Sequence, residues 1–320
     1  MLTPRENFKR FFRNEEYEWL PSNEDQRLFV PAVIPSNVAR GMVRQQNPYP
    51  VEQYGGKDYF GVEWVYDAPN SGSMEVRPLL DDLEDLEEWE EKIVFPDLDS
   101  YDWAGCAAEN AEYLDTDKLI STTIFSGFFE RLISFIGFED AAIALIDEDY
   151  KEYVHALFDK LADFYIDLIA RMNKHFGVEY FDFHDDWGTQ RATIFSVKTY
   201  EEMIMPYIKK VADGAHAMGI LMEQHSCGLI EDFIPGLIET GVDTWRGQAI
   251  NDKKKLVEEY GDQFCFGVEL RPRPGATNEE VREMAEKMKA DYAGKKIWLF
   301  MGRGVTPEQK AIACKVMAGE

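Results

Sequence analysis

Between residues 219 and 228 the chain reads Gly-Ile-Leu-Met-Glu-Gln-His-Ser-Cys-Gly, and an apolar run at 220–222 gives way at once to polar side chains. The pattern predicts a buried strand whose C-terminal end opens into a polar pocket, the place where an α/β enzyme carries its chemistry. Residues two apart on a strand share a face, so Glu223, His225 and Cys227 are expected to present a carboxylate, an imidazole and a thiolate together. All three groups bind divalent metals, zinc in particular. A second polar cluster, His184-Asp185-Asp186-Trp187-Gly188-Thr189-Gln190, follows another short apolar run. Asp185 and Asp186 are expected to move protons or to orient His225, although adjacent acids also cap helices. His184 reads as a further ligand for the site or as a satisfied core histidine.

Other candidates sit where further apolar runs end. Gln248 and Asn251 offer amides to substrate oxygens, Arg271, Arg273 and Arg303 add charge that could meet a carboxylate or phosphate, and Glu269 is a further candidate for substrate binding. Cys106 and Cys265 read as structural thiols.

These positions need elements to hold them. From about residue 105 short apolar runs at 119–125, 180–183, 220–222, 242–245, 264–268 and 297–301 alternate with amphipathic segments at 151–176, 200–218, 231–240 and 278–292. Strand and helix in alternation imply a parallel sheet covered by helices. With a first strand at 28–34, weakened by Pro31, seven strands are counted and an eighth is allowed for. The expected fold is a (β/α)8 TIM barrel over residues 1–320, with an open doubly wound sheet as the alternative. Residues 1–104 form an N-terminal helical and loop extension that carries the first strand and covers part of the barrel mouth. Within it, Thr3-Pro4-Arg5-Glu6 predicts a helix start running to about residue 14, and residues 61–66 a small hairpin. Residues 81–92 predict an acidic, solvated helix docked by Leu83, Leu86 and Trp89.

Composition narrows the partners. The 320 residues are 45% hydrophobic and 13% aromatic, enough for one large core. Sixty acidic residues against 34 basic ones leave a formal charge of −26, which opposes nucleic acid or an anionic membrane as principal partner. The N-terminus has no apolar core of a signal peptide and no stretch approaches a spanning helix, so a cytoplasmic protein is expected. Four scattered cysteines make no disulfide framework.

The segment His225-Ser-Cys227-Gly228, a helix and then Gly241-Val-Asp243 resembles the uroporphyrinogen decarboxylase superfamily, in particular its corrinoid-dependent methyltransferase branch. Asp185-Asp186-Trp187-Gly188-Thr189-Gln190 and Thr3-Pro4-Arg5-Glu6-Asn7 support the resemblance. It implies a (β/α)8 barrel with its site at the strand C-termini, and in the methyltransferases a His-x-Cys pair that binds zinc with a further cysteine after the last strand. Arg303 stands where that cysteine is expected, which leaves Glu223, Glu269 and Cys314 as candidate third ligands. The Arg-rich substrate loop of the decarboxylases has no counterpart beyond Arg40, Arg44 and Gln45.

The expectation is thus a zinc-dependent methyltransferase that takes a methyl group from a small O-methylated substrate and passes it to the cobalt of a corrinoid on a separate partner protein. The alternatives are a methylcobamide:thiol methyltransferase, a metal-independent decarboxylase, and a non-catalytic docking or ligand-binding barrel.

Overall fold

The computed structural model describes residues 1–34, 40–67, 73–302 and 304–319. Along them run ten strands: β1 (Gln26–Leu28), β2 (Gly56–Lys57), β3 (Glu63–Asp67), β4 (Ser73–Arg77), β5 (Leu119–Ile124), β6 (Tyr180–His184), β7 (Leu221–Ser226), β8 (Thr244–Gly247), β9 (Cys265–Leu270) and β10 (Ile297–Met301). From β5 onward at least one helix separates each strand from the next, and β5–β6, β6–β7, β8–β9 and β9–β10 pair in parallel. The α/β class expected from the alternation is the class found.

The chain divides into two compact units, one of Leu28–Asp115 with Ile120–Val242, the other of Met1–Arg27, Thr116–Leu119 and Asp243–Glu320. In the first, β5, β6 and β7 lie side by side, with Thr123 opposite Asp182, Asp182 opposite Glu223 and His184 opposite His225. The helix Lys151–Phe176 buries Leu157, Leu161, Tyr165, Leu168 and Met172, a stripe at spacings of three and four that only one face of a helix can present. Gly177, at φ +72°, stops it.

The same unit holds a three-stranded antiparallel sheet, β2-β3-β4, in which the expected hairpin segment is β3. The loop before β3 is organised by the buried Asp58, which accepts from the backbone of Phe60 and Val62 and from Trp64 Nε1.

Two expected elements take different forms. The strand expected at 28–34 is only β1, which ends at Leu28. Phe29 N–H still reaches Ser121 O at 2.7 Å, but Pro31 has no N–H to continue a ladder, and the chain turns. Residues 35–39 lie outside the described residues. The acidic helix expected at 81–92 is a 3₁₀ segment, Leu83–Glu88, followed by one α-turn, Trp89–Lys92. Leu86 and Trp89 dock it as expected, while Leu83 is only half-buried.

In the second unit β8, β9 and β10 are parallel, and Leu299 of β10 donates to Pro21 O at 2.8 Å. The helix Pro4–Phe12 starts as the sequence predicts, with Thr3 Oγ1 accepting from Glu6 N–H. Phe8 and Phe12 stack, and Phe8 meets Trp298 edge-on. Among the described residues no helix is long and apolar enough to cross a membrane.

Candidate metal centre

The site grows from the register of two neighbouring strands. Because His184 ends β6 opposite His225 of β7, the two imidazoles stack, with centroids 4.8 Å apart and planes 23° apart. Each strand then hands over to a loop that returns a second donor, Asp186 after β6 and Cys227 after β7. Ligand atoms of His184, Asp186, His225 and Cys227 all lie within 4.8 Å of one another. Cys227 Sγ is 3.7 Å from His225 Nε2, and Asp186 Oδ1 is 3.7 Å from His184 Nε2. Tetrahedral zinc, with sulfur at about 2.3 Å and nitrogen at about 2.0–2.1 Å, sets such a pair about 3.6 Å apart. The donor set and the spacing therefore fit zinc.

Backbone contacts lock the two loops together. Asp186 Oδ1 accepts from Cys227 N–H at 2.6 Å, so one carboxylate both joins the cluster and fixes the turn that carries its thiol. Ser226 Oγ accepts from Trp187 N–H at 3.0 Å, and Leu229 N–H donates to Thr189 O at 2.8 Å. Gly228 has φ +78°, and a Cβ placed on it would lie 2.1 Å from the carbonyl carbon of Gly188. Only glycine allows the loops this close.

Negative charge surrounds the imidazoles. Glu130, on the first turn of the helix Phe129–Ile136, places Oε2 2.9 Å from His184 Nδ1. Burial alone pushes the His184 imidazole down, yet the Glu130 carboxylate, Cys227 and Asp186 together hold it well above the usual histidine range. Surroundings that favour an imidazolium also favour a bound cation. Burial pushes Glu130 up to about 7 against the pull of His184. Cys227 is raised, chiefly by burial, so its thiol keeps its proton unless a metal displaces it.

The neighbouring acids take different tasks. Asp185, fully buried, accepts from the amides of Phe128, Phe129 and Glu130 at 2.8–3.0 Å and from Trp187 Nε1 at 2.8 Å. Burial raises its carboxyl even so. It caps the start of the helix that carries Glu130, the capping role that adjacent acids were also expected to take. Gly127 permits the approach, since a Cβ there would lie 2.7 Å from that of Asp185.

Glu223, the expected third ligand, is outside the cluster. It shares the face of His225, but two residues of strand place it about 6.6 Å deeper. Its Oε2 accepts from Tyr180 Oη at 2.8 Å in a buried setting. Glu269 and Cys314 belong to the other unit, where Glu269 lies against Gly302 at the end of β10. Gln190 is exposed at the tip of the loop after β6. Gln248 and Asn251 close a turn after β8, with Asn251 Nδ2 donating to Gln248 O, and Arg271 is exposed after β9. Arg273 is paired with Glu280. Arg303 lies outside the described residues. Sequence reasoning missed Glu130, which sits in a Phe-Phe-Glu-Arg-Leu run without any ligand spacing.

No curated protein matches the chain. Among solved structures, a methyltransferase from Methanosarcina mazei has a TM-score of 0.65 at 13% identity, over 100% of this chain and 99% of that one, and so shares the fold. A D-psicose 3-epimerase from Clostridium cellulolyticum H10, at 12% identity over 66% of this chain and 73% of that one, has a TM-score of 0.38, too low to bear on the argument. The family model for uroporphyrinogen decarboxylase (URO-D) matches residues 134–318, more than half of the chain and including all four residues of the cluster. The chain belongs to the uroporphyrinogen decarboxylase family.

Proposed function

We propose that this protein is a zinc-dependent methyltransferase, taking a methyl group from a small O-methylated substrate and delivering it to the cobalt of a corrinoid on a separate protein. The observation that carries the reading is the cluster of His184, Asp186, His225 and Cys227 at adjoining strand ends. Full-length similarity to a methyltransferase fold supports it, and with the strand–helix alternation it supports a (β/α)8 barrel for the chain as a whole.

The chemistry follows from the donor set. A methyl ether leaves poorly unless its oxygen is protonated or coordinated, so a demethylase needs an electrophile. Zinc held by three of these side chains, with a fourth position open, would supply Lewis acidity toward the substrate oxygen. One sulfur among nitrogen and oxygen donors leaves a metal harder than a multi-thiolate site would, which suits an oxygen ligand. The chain's own residues do the remaining work. His184 and His225 stack and fix each other's planes. Asp186 holds the Cys227 turn, and Asp185 anchors the loop beneath Glu130. Glu130, pushed up to about 7, can hold or release a proton beside His184 at neutral pH.

Porphyrinogen decarboxylation is the less favoured reading. Arg44, one of the two arginines at 40–45 that could be set against the decarboxylases' substrate loop, spends its guanidinium on the carbonyls of Gly41 and Val43.

The test is direct. Zinc-loaded protein is mixed with cob(I)alamin and a panel of O-methylated alcohols and phenols, and the corrin spectrum is followed. Methylation of the corrin by at least one donor, lost in His225→Ala, is expected. No methylation from any donor, together with decarboxylation of porphyrinogens or small carboxylic acids, would overturn the reading.

A further inference from the structure

We propose that Glu130 is the positioning residue for His184: its carboxylate accepts a hydrogen bond from Nδ1–H and so turns Nε2 toward Asp186, His225 and Cys227. The assignment rests on the metal-centre reading above and adds to it a residue outside the ligand set, outside the residues matched by the family model, and 54 positions earlier in the chain than the histidine it serves.

The geometry carries it in three steps. First, an imidazole that binds a metal through Nε2 must keep its proton on Nδ1, and a carboxylate acceptor at Nδ1 fixes both the tautomer and the ring rotation. Glu130 Oε2, 2.9 Å from Nδ1, fills that role, while Nε2 on the far side of the ring is 3.7 Å from Asp186 Oδ1. Second, the position of Glu130 is itself heavily determined. Its amide donates to Asp185 Oδ1 at 2.8 Å. The next residue, Arg131, is fully buried, pairs with Asp58 Oδ2 at 2.6 Å and lies against the rings of Tyr59 and Phe60. Just upstream, Tyr165 Oη donates to the carbonyls of Ser126 and Gly127. The start of this helix is thus tied to β6 through Asp185, to the β2–β3 loop through Asp58 and to the long helix through Tyr165. Third, Glu130 lies in the first turn of its helix, where the helix dipole favours a carboxylate. A side chain needed only for packing would not require a carboxylate aimed at a ring nitrogen.

The test compares wild-type protein with Glu130→Gln and Glu130→Ala. Zinc affinity is measured by competition with a chromophoric chelator, and the d–d absorption of the Co²⁺-substituted forms reports ligand geometry independently of turnover. Circular dichroism and a urea midpoint confirm that each variant is folded. Loss of an outer carboxylate partner of a ligating histidine costs about 10–100-fold in metal affinity. Glu130→Ala is expected to fall in that range with an altered Co²⁺ spectrum. Glu130→Gln, which keeps an acceptor but no charge, is expected to fall between it and wild type. If wild-type protein binds metal and both folded variants bind it within twofold, with unchanged Co²⁺ spectra, the assignment of Glu130 is overturned while the metal centre stands. If wild-type protein takes up neither ion, the metal reading is overturned and this assignment with it.

Discussion

At the scale of residues, the division of labour among carboxylates decides what the site can bind. Asp186 stands in the cluster, Asp185 caps a helix, Glu130 meets a ring nitrogen and Glu223 is satisfied by Tyr180. This makes Glu223 and Asp186 separable. Glu223→Gln, which can still accept from Tyr180, is expected to leave zinc close to one equivalent per chain, whereas Asp186→Ala is expected to weaken zinc by at least about tenfold, as read by equilibrium dialysis with metal emission spectrometry. Loss of zinc in Glu223→Gln with retention in Asp186→Ala would reverse the assignment. Part of this was legible in the sequence. His225 and Cys227 stood out because strand period two and a strand end put them together, and His184 and Asp186 because they follow the preceding apolar run. Periodicity gives a face but not a depth, which is why Glu223 was grouped with His225 although it sits two residues lower on the strand. Glu130 could not be read at all, since its relation to His184 is made by one strand lying beside another.

At the scale of elements, the loops after β6 and β7 behave as one piece, and glycine makes that possible. A Cβ on Gly228 would overlap the Gly188 backbone at a φ that side chains rarely adopt. Gly228→Ala is expected to cost about 2 kcal/mol or more in urea denaturation and to weaken zinc as well, because the displaced loop carries Cys227. A variant with unchanged stability and unchanged zinc affinity would show that the loops tolerate separation. The sequence announced the parallel strands and the long helix at 151–176 correctly, because continuous apolar runs and a 3.6-residue stripe are strong signals. It failed where competing signals met. Pro31 cut short the strand expected at 28–34, and the crowded acids of 81–92 gave a 3₁₀ segment instead of a regular helix. The helices Phe129–Ile136 and Phe138–Ala144 were not among the expected segments, since Gly137 divides them into two short elements.

At the scale of the whole molecule, a bound metal should register as stability. A ligand held only by the native state stabilises by RT ln(1 + [L]/Kd), about 2.7 kcal/mol at a free concentration of 100 Kd. Zinc is therefore expected to raise the thermal midpoint of wild-type protein and a chelator to reverse the change, with no response in a His225→Ala/Cys227→Ala double variant, measured by differential scanning calorimetry. Equal shifts in wild type and double variant would place the stabilising ion elsewhere. The formal charge of −26 acts at this scale too, and it favours a protein or small-molecule partner over nucleic acid without naming one.

The proposed chemistry requires one metal ion among His184, Asp186, His225 and Cys227. Zinc K-edge X-ray absorption on the zinc-loaded protein tests it most directly. A single sulfur at about 2.3 Å and three nitrogen or oxygen neighbours at about 2.0–2.1 Å are expected, with the sulfur contribution absent in Cys227→Ala. A shell without sulfur, or one with two or more sulfurs, would contradict it.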